Sequence, residues 1–213
     1  NIMNKENIDI KFVNSTFQCP VCSSSECMVN TKTVKCISCK NYYDIEDTVI
    51  KVDSSKDEFY EGKYKGSIKF IPKEKSFVSN IILWIFNSGY LWHVKKNSTK
   101  NNNILELGCG GGVSFFGSFY NTIGMDLSLS SMNNNDTKYK FFLKSNIYNI
   151  IPLKDSSMDL IVSSFFWEHI DLAYKERCLK EIYRVLKPNG KVVFLFDVET
   201  NNPLINYCKK KNY

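Results

Sequence analysis

The sequence predicts an α/β protein: a doubly wound parallel sheet preceded by a small cysteine-rich module. Three observations carry that prediction. Residues 103–112 read Asn-Ile-Leu-Glu-Leu-Gly-Cys-Gly-Gly-Gly, a short apolar strand that breaks into a glycine-rich turn. Such a strand and turn, followed by a helix, open a nucleotide-binding β-α unit. From Asn103 onward strand-like and helix-like patterns alternate, as parallel strands joined by crossover helices require. Ahead of them stand two Cys-x-x-Cys pairs, Cys19/Cys22 and Cys36/Cys39.

The first unit spans residues 1–53. Cys19-Pro20-Val21-Cys22 and Cys36-Ile37-Ser38-Cys39 form two knuckles separated by a short, mostly polar, hairpin-like stretch. Each knuckle brings two sulfurs to one ion, and together Cys19, Cys22, Cys36 and Cys39 complete a tetrahedral zinc site. A redox reading fits poorly, because redox Cys-x-x-Cys motifs come singly at a helix start. Tyr42 to Ile50 reads as strand, turn and strand, and Cys27 is a bystander in the hairpin.

Residues 54–100 are expected to be a linker and a cap helix. The segment from Asp53 to Gly66 is polar, and Ser76 can cap a helix running to Val94. Val78, Ile81, Ile82, Ile85 and Phe86 fall near helical spacing and are expected to pack on the sheet. Tyr60 and Tyr64 are the alternative candidates there, as pocket residues. Residues 101–213 form the core, with strands expected near 103–107, 121–126, 140–144, 158–163 and 190–196. Helices are expected near 112–118, 128–133, 171–186 and 202–210, with Pro188-Asn189-Gly190 as a sharp turn.

Composition narrows the class. Apolar residues at 43% and charged residues at 23% are ordinary for a soluble domain. The longest apolar run, Ile81 to Phe86, is too short to span a bilayer, and the polar start is no signal peptide. Eight cysteines, paired as knuckles or scattered singly, fit a reducing, cytoplasmic compartment better than a disulfide scaffold. The formal charge of +6, lowered to +4 by four thiolates around one zinc ion, does not by itself argue nucleic-acid binding.

A nicotinamide fingerprint would place its third glycine at 113, where this chain has Val113, and the segment carries Glu106 instead. Glu106 with Gly108 and Gly110 resembles motif I of the class I S-adenosylmethionine-dependent methyltransferases, type 11-like. The resemblance runs on through Gly124-Met125-Asp126-Leu127-Ser128 and Asp159-Leu160-Ile161-Val162-Ser163 with Trp167-Glu168-His169-Ile170. It ends with Leu179 to Gly190. The cysteine unit likewise resembles the zinc ribbon often fused ahead of such enzymes, in ribosomal RNA guanine methyltransferases among others. The resemblance implies a Rossmann-like fold that binds S-adenosyl-L-methionine. It also implies an antiparallel hairpin after the fifth strand, so a core ending at Tyr213 is expected to be C-terminally incomplete.

The cofactor-binding set implied by the resemblance is Glu106, Gly108, Cys109, Gly110, Asp126, Leu127, Asn146, Ile147 and Ser163. Bare carbonyls of the turn face the donor's ammonium, with Glu106 ordering the loop or contacting that group. Asp126, eighteen residues past Gly108, accepts the ribose hydroxyls. Leu127 packs on adenine. Asn146 stands where the family usually has Asp, and an uncharged acceptor there weakens the adenine bond by about 1 kcal/mol. Ser163, Ser164 and Phe165 wall the pocket. His169 is the candidate general base, with loop capping as its alternative role. Three functions remain open: methyl transfer to a hydroxyl or amine of a small molecule such as a sugar, an RNA base methyltransferase using the ribbon as grip, and a non-catalytic cofactor-binding domain. The small-molecule acceptor is preferred, because Asp44, Glu46 and Asp47 offset Lys32, Lys35 and Lys40 on the ribbon. The absence of an Asn-Pro-Pro-Tyr-type signature after strand four points the same way.

Overall fold

The structure, a computed structural model, describes residues 8–53, 89–133 and 137–195. The expected helix at 202–210, the pair Tyr60 and Tyr64, and most of the expected cap helix lie outside the described residues. Within the first stretch, helix α1 (Ile10–Thr16) is an element the sequence reading did not anticipate. Asp9 caps it, its carboxylate accepting the Phe12 N–H at 3.0 Å. Strands β1 (Cys27–Val29), β2 (Thr33–Cys36), β3 (Tyr42–Glu46) and β4 (Val49–Lys51) follow as an antiparallel meander.

The second stretch opens with helical residues 89–96 (α2), then strand β5 (Asn103–Leu107) and helix α3 (Ser114–Phe119). Strand β6 (Asn121–Asp126) and helix α4 (Leu129–Met132) close it. The third stretch holds β7 (Phe141–Lys144), β8 (Met158–Ser164), a 3₁₀ turn (Trp167–His169), α5 (Leu172–Val185) and β9 (Leu186–Leu195). The sheet runs β1-β2-β3-β4-β7-β6-β5-β8-β9, and all neighbours from β4 to β9 pair parallel. This is the Rossmann-like, doubly wound arrangement expected.

Period-two alternation sends consecutive strand residues to opposite faces. Leu105, Leu107, Ile123, Met125 and Ile161 pack with Cys178, Ile182 and Val185 of α5 and with Val13 of α1. Ile104, Phe142, Leu160 and Val162 pack on the other face with Tyr90 and Val94 of α2 and Phe116 of α3. Helices therefore cover both faces.

Two local features differ from the sequence reading. Pro188-Asn189-Gly190 does not precede the last strand but lies inside it as a bulge. The register with β8 jumps from Met158↔Leu186 to Leu160↔Lys191, and Asn189 takes a left-handed φ of 65°. The ribbon strands also do not stop at the ribbon. Strand β4 pairs with β7 through Val49↔Phe142, Ile50↔Leu143 and Lys51↔Lys144. Both Val49 and Ile50 are fully buried, so neither side of β4 faces water. The meander thus covers what would otherwise be an open sheet edge.

Candidate active site

Strand order reverses between β5 and β8, so the chain leaves these neighbours in opposite directions and a crevice opens beyond their carboxyl ends. The glycine turn borders it. Gly108 needs to be glycine twice over: its φ is 64°, and a Cβ would lie 2.4 Å from the Phe166 ring. Asp126 at the end of β6 anchors the turn, with Oδ2 accepting the Gly110 N–H at 2.7 Å and Oδ1 the Ser128 N–H at 2.8 Å. Burial raises the Asp126 pKa, while these two N–H groups oppose the shift.

A cavity of about 320 Å³ fills the crevice, within the range of small-molecule sites. Of the expected residues, Gly108, Gly110, Asp126, Leu127, Asn146, Ile147 and His169 line it, and so do Ser164 and Phe165. Glu106, Cys109 and Ser163 do not. Strand alternation turns Glu106 beneath the turn, where it is fully buried and accepts the Tyr139 hydroxyl. Burial pushes its pKa up to about 8. The Cys109 sulfur faces β6, where a Cβ on Gly124 would stand 2.7 Å from it. Ser163 donates to the Leu107 carbonyl at 3.0 Å and is fully buried.

The far wall is a loop after β7. Asn146 Oδ1 accepts the Tyr148 N–H at 2.9 Å, so the amide oxygen keeps one lone pair for a ligand. Tyr148 also lines the cavity and stacks on Tyr174, with centroids 4.2 Å apart and planes at 14°. Nothing in the spacing of Tyr148 or Tyr174 pointed to that pair. Met125, Ser131 and Ile170 are further lining residues that the sequence reading left out, and Phe166 lines the cavity while closing on Gly108. Phe165 holds an unusual left-handed φ of 50°, fixed by its N–H bond to the Leu195 carbonyl at 2.7 Å.

A second site lies in the ribbon. The sulfurs of Cys19, Cys22, Cys36 and Cys39 all fall within 4.8 Å of one another. The pairs Cys19–Cys39 and Cys22–Cys36 stand at 3.6 and 3.5 Å, too far for a disulfide. A tetrahedral ion with bonds near 2.3 Å would set sulfurs about 3.8 Å apart, so the four thiols fit one. The Tyr43 hydroxyl lies 3.2 Å from the Cys19 sulfur, and Asn41 Nδ2 donates to Cys39 at 3.2 Å. The Asn41 hydrogen bonds pull the Cys39 pKa down to about 6, toward the thiolate that binds metal. Cys27 lies outside this group although it pairs with Cys36 in the β1–β2 register.

Comparison with known proteins agrees with this geometry. Residues 105–194 match the family model described as a methyltransferase domain. The chain is 32% identical over 114 residues to a demethylmenaquinone methyltransferase of Lactobacillus johnsonii, covering 47% of this chain and 46% of that protein. It is 41% identical over 63 residues to an uncharacterized methyltransferase of Schizosaccharomyces pombe, covering 28% and 23%. The chain therefore spans less than half the length of these curated relatives. Among solved structures, one described as a DhpI-SAM-HEP complex superposes with a TM-score of 0.50 at 12% identity, covering 73% of this chain and 69% of that one. That likeness concerns the fold. The family match and the relatives support a methyltransferase domain over residues 105–194. Among the described residues, no helix is long and apolar enough to cross a membrane.

Proposed function

We propose that this protein transfers a methyl group from S-adenosyl-L-methionine to a hydroxyl or amine of a small molecule, with a structural zinc ion in its ribbon. The observation that carries the reading is the link between the glycine turn and Asp126 at the rim of one cavity. Gly108 and Gly110 offer bare backbone to the donor's methionine end. Each Asp126 oxygen has spent one lone pair on a backbone N–H and keeps another for a ribose hydroxyl. Leu127 and Ile147 supply apolar surface for adenine, and Asn146 an acceptor for its amino group.

When bound, the donor supplies an activated methyl carbon, which passes to the acceptor in line while the S–C electron pair stays on sulfur. The chain's share is alignment and exclusion of water. His169 lines the cavity on the β8 side, where it can take the proton an acceptor hydroxyl loses. The aromatic pair Phe165 and Phe166 walls the same side. The four ribbon cysteines hold zinc as a closed site, with no position left open for chemistry.

Calorimetric titration of S-adenosylhomocysteine into the purified chain should show one site, and metal analysis should show one zinc per chain. No detectable binding would overturn the enzymatic reading. Acceptors are then screened with labelled donor, and the Lactobacillus johnsonii relative adds demethylmenaquinone to the hydroxyl and amine compounds. With a hydroxyl acceptor, His169→Asn should lower kcat by about 10²–10⁴ while leaving S-adenosylhomocysteine binding unchanged. Salt-sensitive binding of structured RNA would favour the RNA reading instead. For that reading the ribbon offers Lys35 and Tyr42, neighbours in the β2–β3 register, with Tyr42 69% exposed.

A further inference from the structure

Three observations meet at Tyr139, a residue with no part in the motifs. Its hydroxyl donates to Glu106 and accepts the Val113 N–H at 2.8 Å. Its ring is pressed under the turn, where a Cβ on Gly112 would come within 2.9 Å of it. That ring is held from below by Phe142, stacked at 5.0 Å with planes at 12°. The neighbouring backbone seats the following helix in the same way: a Cβ on Gly117 of α3 would stand 1.7 Å from the Thr137 carbonyl oxygen. Segment 137–139 is thus the surface against which the turn and α3 are set.

We propose that Tyr139 is the positioning residue of the donor-binding turn. Its ring fixes the height of Gly112, and its hydroxyl ties Val113 to the carboxyl of Glu106. This inference rests on the methyl-donor reading of the cavity. It also gives Glu106, which does not line the cavity, a defined way to act: through Tyr139 and by its charge beneath the turn. The groups facing Glu106 are Tyr139, Asp126 of β6, Tyr90 of α2 and Cys109 of the turn. Of these, Asp126 raises the Glu106 pKa and the Tyr139 hydroxyl lowers it. Ionised Glu106 attracts the ammonium of the donor, so product affinity should climb as pH passes through about 8.

The test uses the whole chain, S-adenosylhomocysteine as probe, and Tyr139→Phe, which keeps the stacked ring and removes only the hydroxyl. Affinity should fall about tenfold, the value of one buried hydrogen bond. The midpoint of its pH dependence should move upward, a shift that a merely structural loss would not produce. Glu106→Gln should flatten the pH dependence, and the double variant should bind within twofold of Glu106→Gln alone. Circular dichroism confirms that the variants stay folded. Tyr139→Phe binding within twofold of wild type at an unmoved midpoint would overturn the inference and leave the donor reading intact. So would losses that add in full in the double variant. Failure of wild type to bind the probe would remove both.

Discussion

The cysteine cluster of the ribbon and the crevice beyond the parallel strands are assembled in opposite ways. The ribbon gathers its four sulfurs from residues 19–39, two knuckles on one hairpin framework. The crevice draws its walls from residues 107–170, on β5, β6, the loop after β7, and the turn after β8. A site made within one short segment is fixed by spacing. A site made across a sheet is fixed by strand order, register and the residues beneath its loops. The two also share a seam: the Val52 and Asp53 N–H groups bond to the Lys144 carbonyl at 3.1 and 3.0 Å, just ahead of the loop that forms the far cavity wall.

The most severe way to break this contrast is to destroy the ribbon and watch the crevice. Cys36→Ser, at a fully buried position of the cysteine cluster, should release the proposed zinc and cost several kcal/mol of stability, read as a lower Tm. If the seam supports the far wall, product affinity should weaken as well; undiminished affinity in a metal-free, folded variant would show two independent sites. Next comes Asp126→Ala, which removes the Gly110 anchor of the turn, the bond to the Ser128 N–H and the proposed ribose acceptor. Calorimetry should register a loss of about 2–3 kcal/mol in product binding with zinc content unchanged.

A graded effect follows pH. The Glu106 pKa rises from 4.5 when free to about 8 when buried, so the folded chain holds a proton that the unfolded chain has lost. Stability from this group is fully present below pH 4.5 and is lost as pH rises through about 8. The slope is at most about 1.4 kcal/mol per pH unit. Thermal melts across that window should show the decline, and Glu106→Gln should flatten it. The finest adjustment is Asn146→Asp, which keeps the acceptor for Tyr148 N–H and adds charge toward adenine. Donor affinity should tighten by about 1 kcal/mol.

The contrast also explains what the sequence could reveal. The clustering of the four cysteines, the strand boundaries of β5 and β6, and the place of Asp126 at the crevice were legible because each depends on local order: Cys-x-x-Cys spacing, apolar runs, a strand ending in Asp. Helix α1 was readable in principle, since Asp9 is a capping residue ahead of Ile10, Phe12 and Val13. The pairing of β4 with β7 had only an indirect signal, the adjacent apolar Val49 and Ile50, which suit a strand buried on both faces. Cys109, Ser163 and Glu106, the last in the loop-ordering place that was one of its two expected roles, stand off the cavity lining for a single reason. Adjacency to a motif does not say to which side a side chain turns. Tyr139 and Tyr148 were invisible, because their importance lies in what they lean on across 26 residues or more.

The β4–β7 seam has one more consequence, for anyone who trims the gene. Removing residues 1–53 would strip the partner from β7 and uncover Phe141, against which Phe12 packs with ring centroids 6.1 Å apart. It would also deprive Arg184, already bonded to Asp155 and Glu181, of its contact with Gln18 at 3.1 Å. A shortened chain would carry a bare, sticky flank ready to recruit its own copies. Insoluble product from such a shortened gene would therefore report a missing guard strand and not a parallel sheet unable to fold.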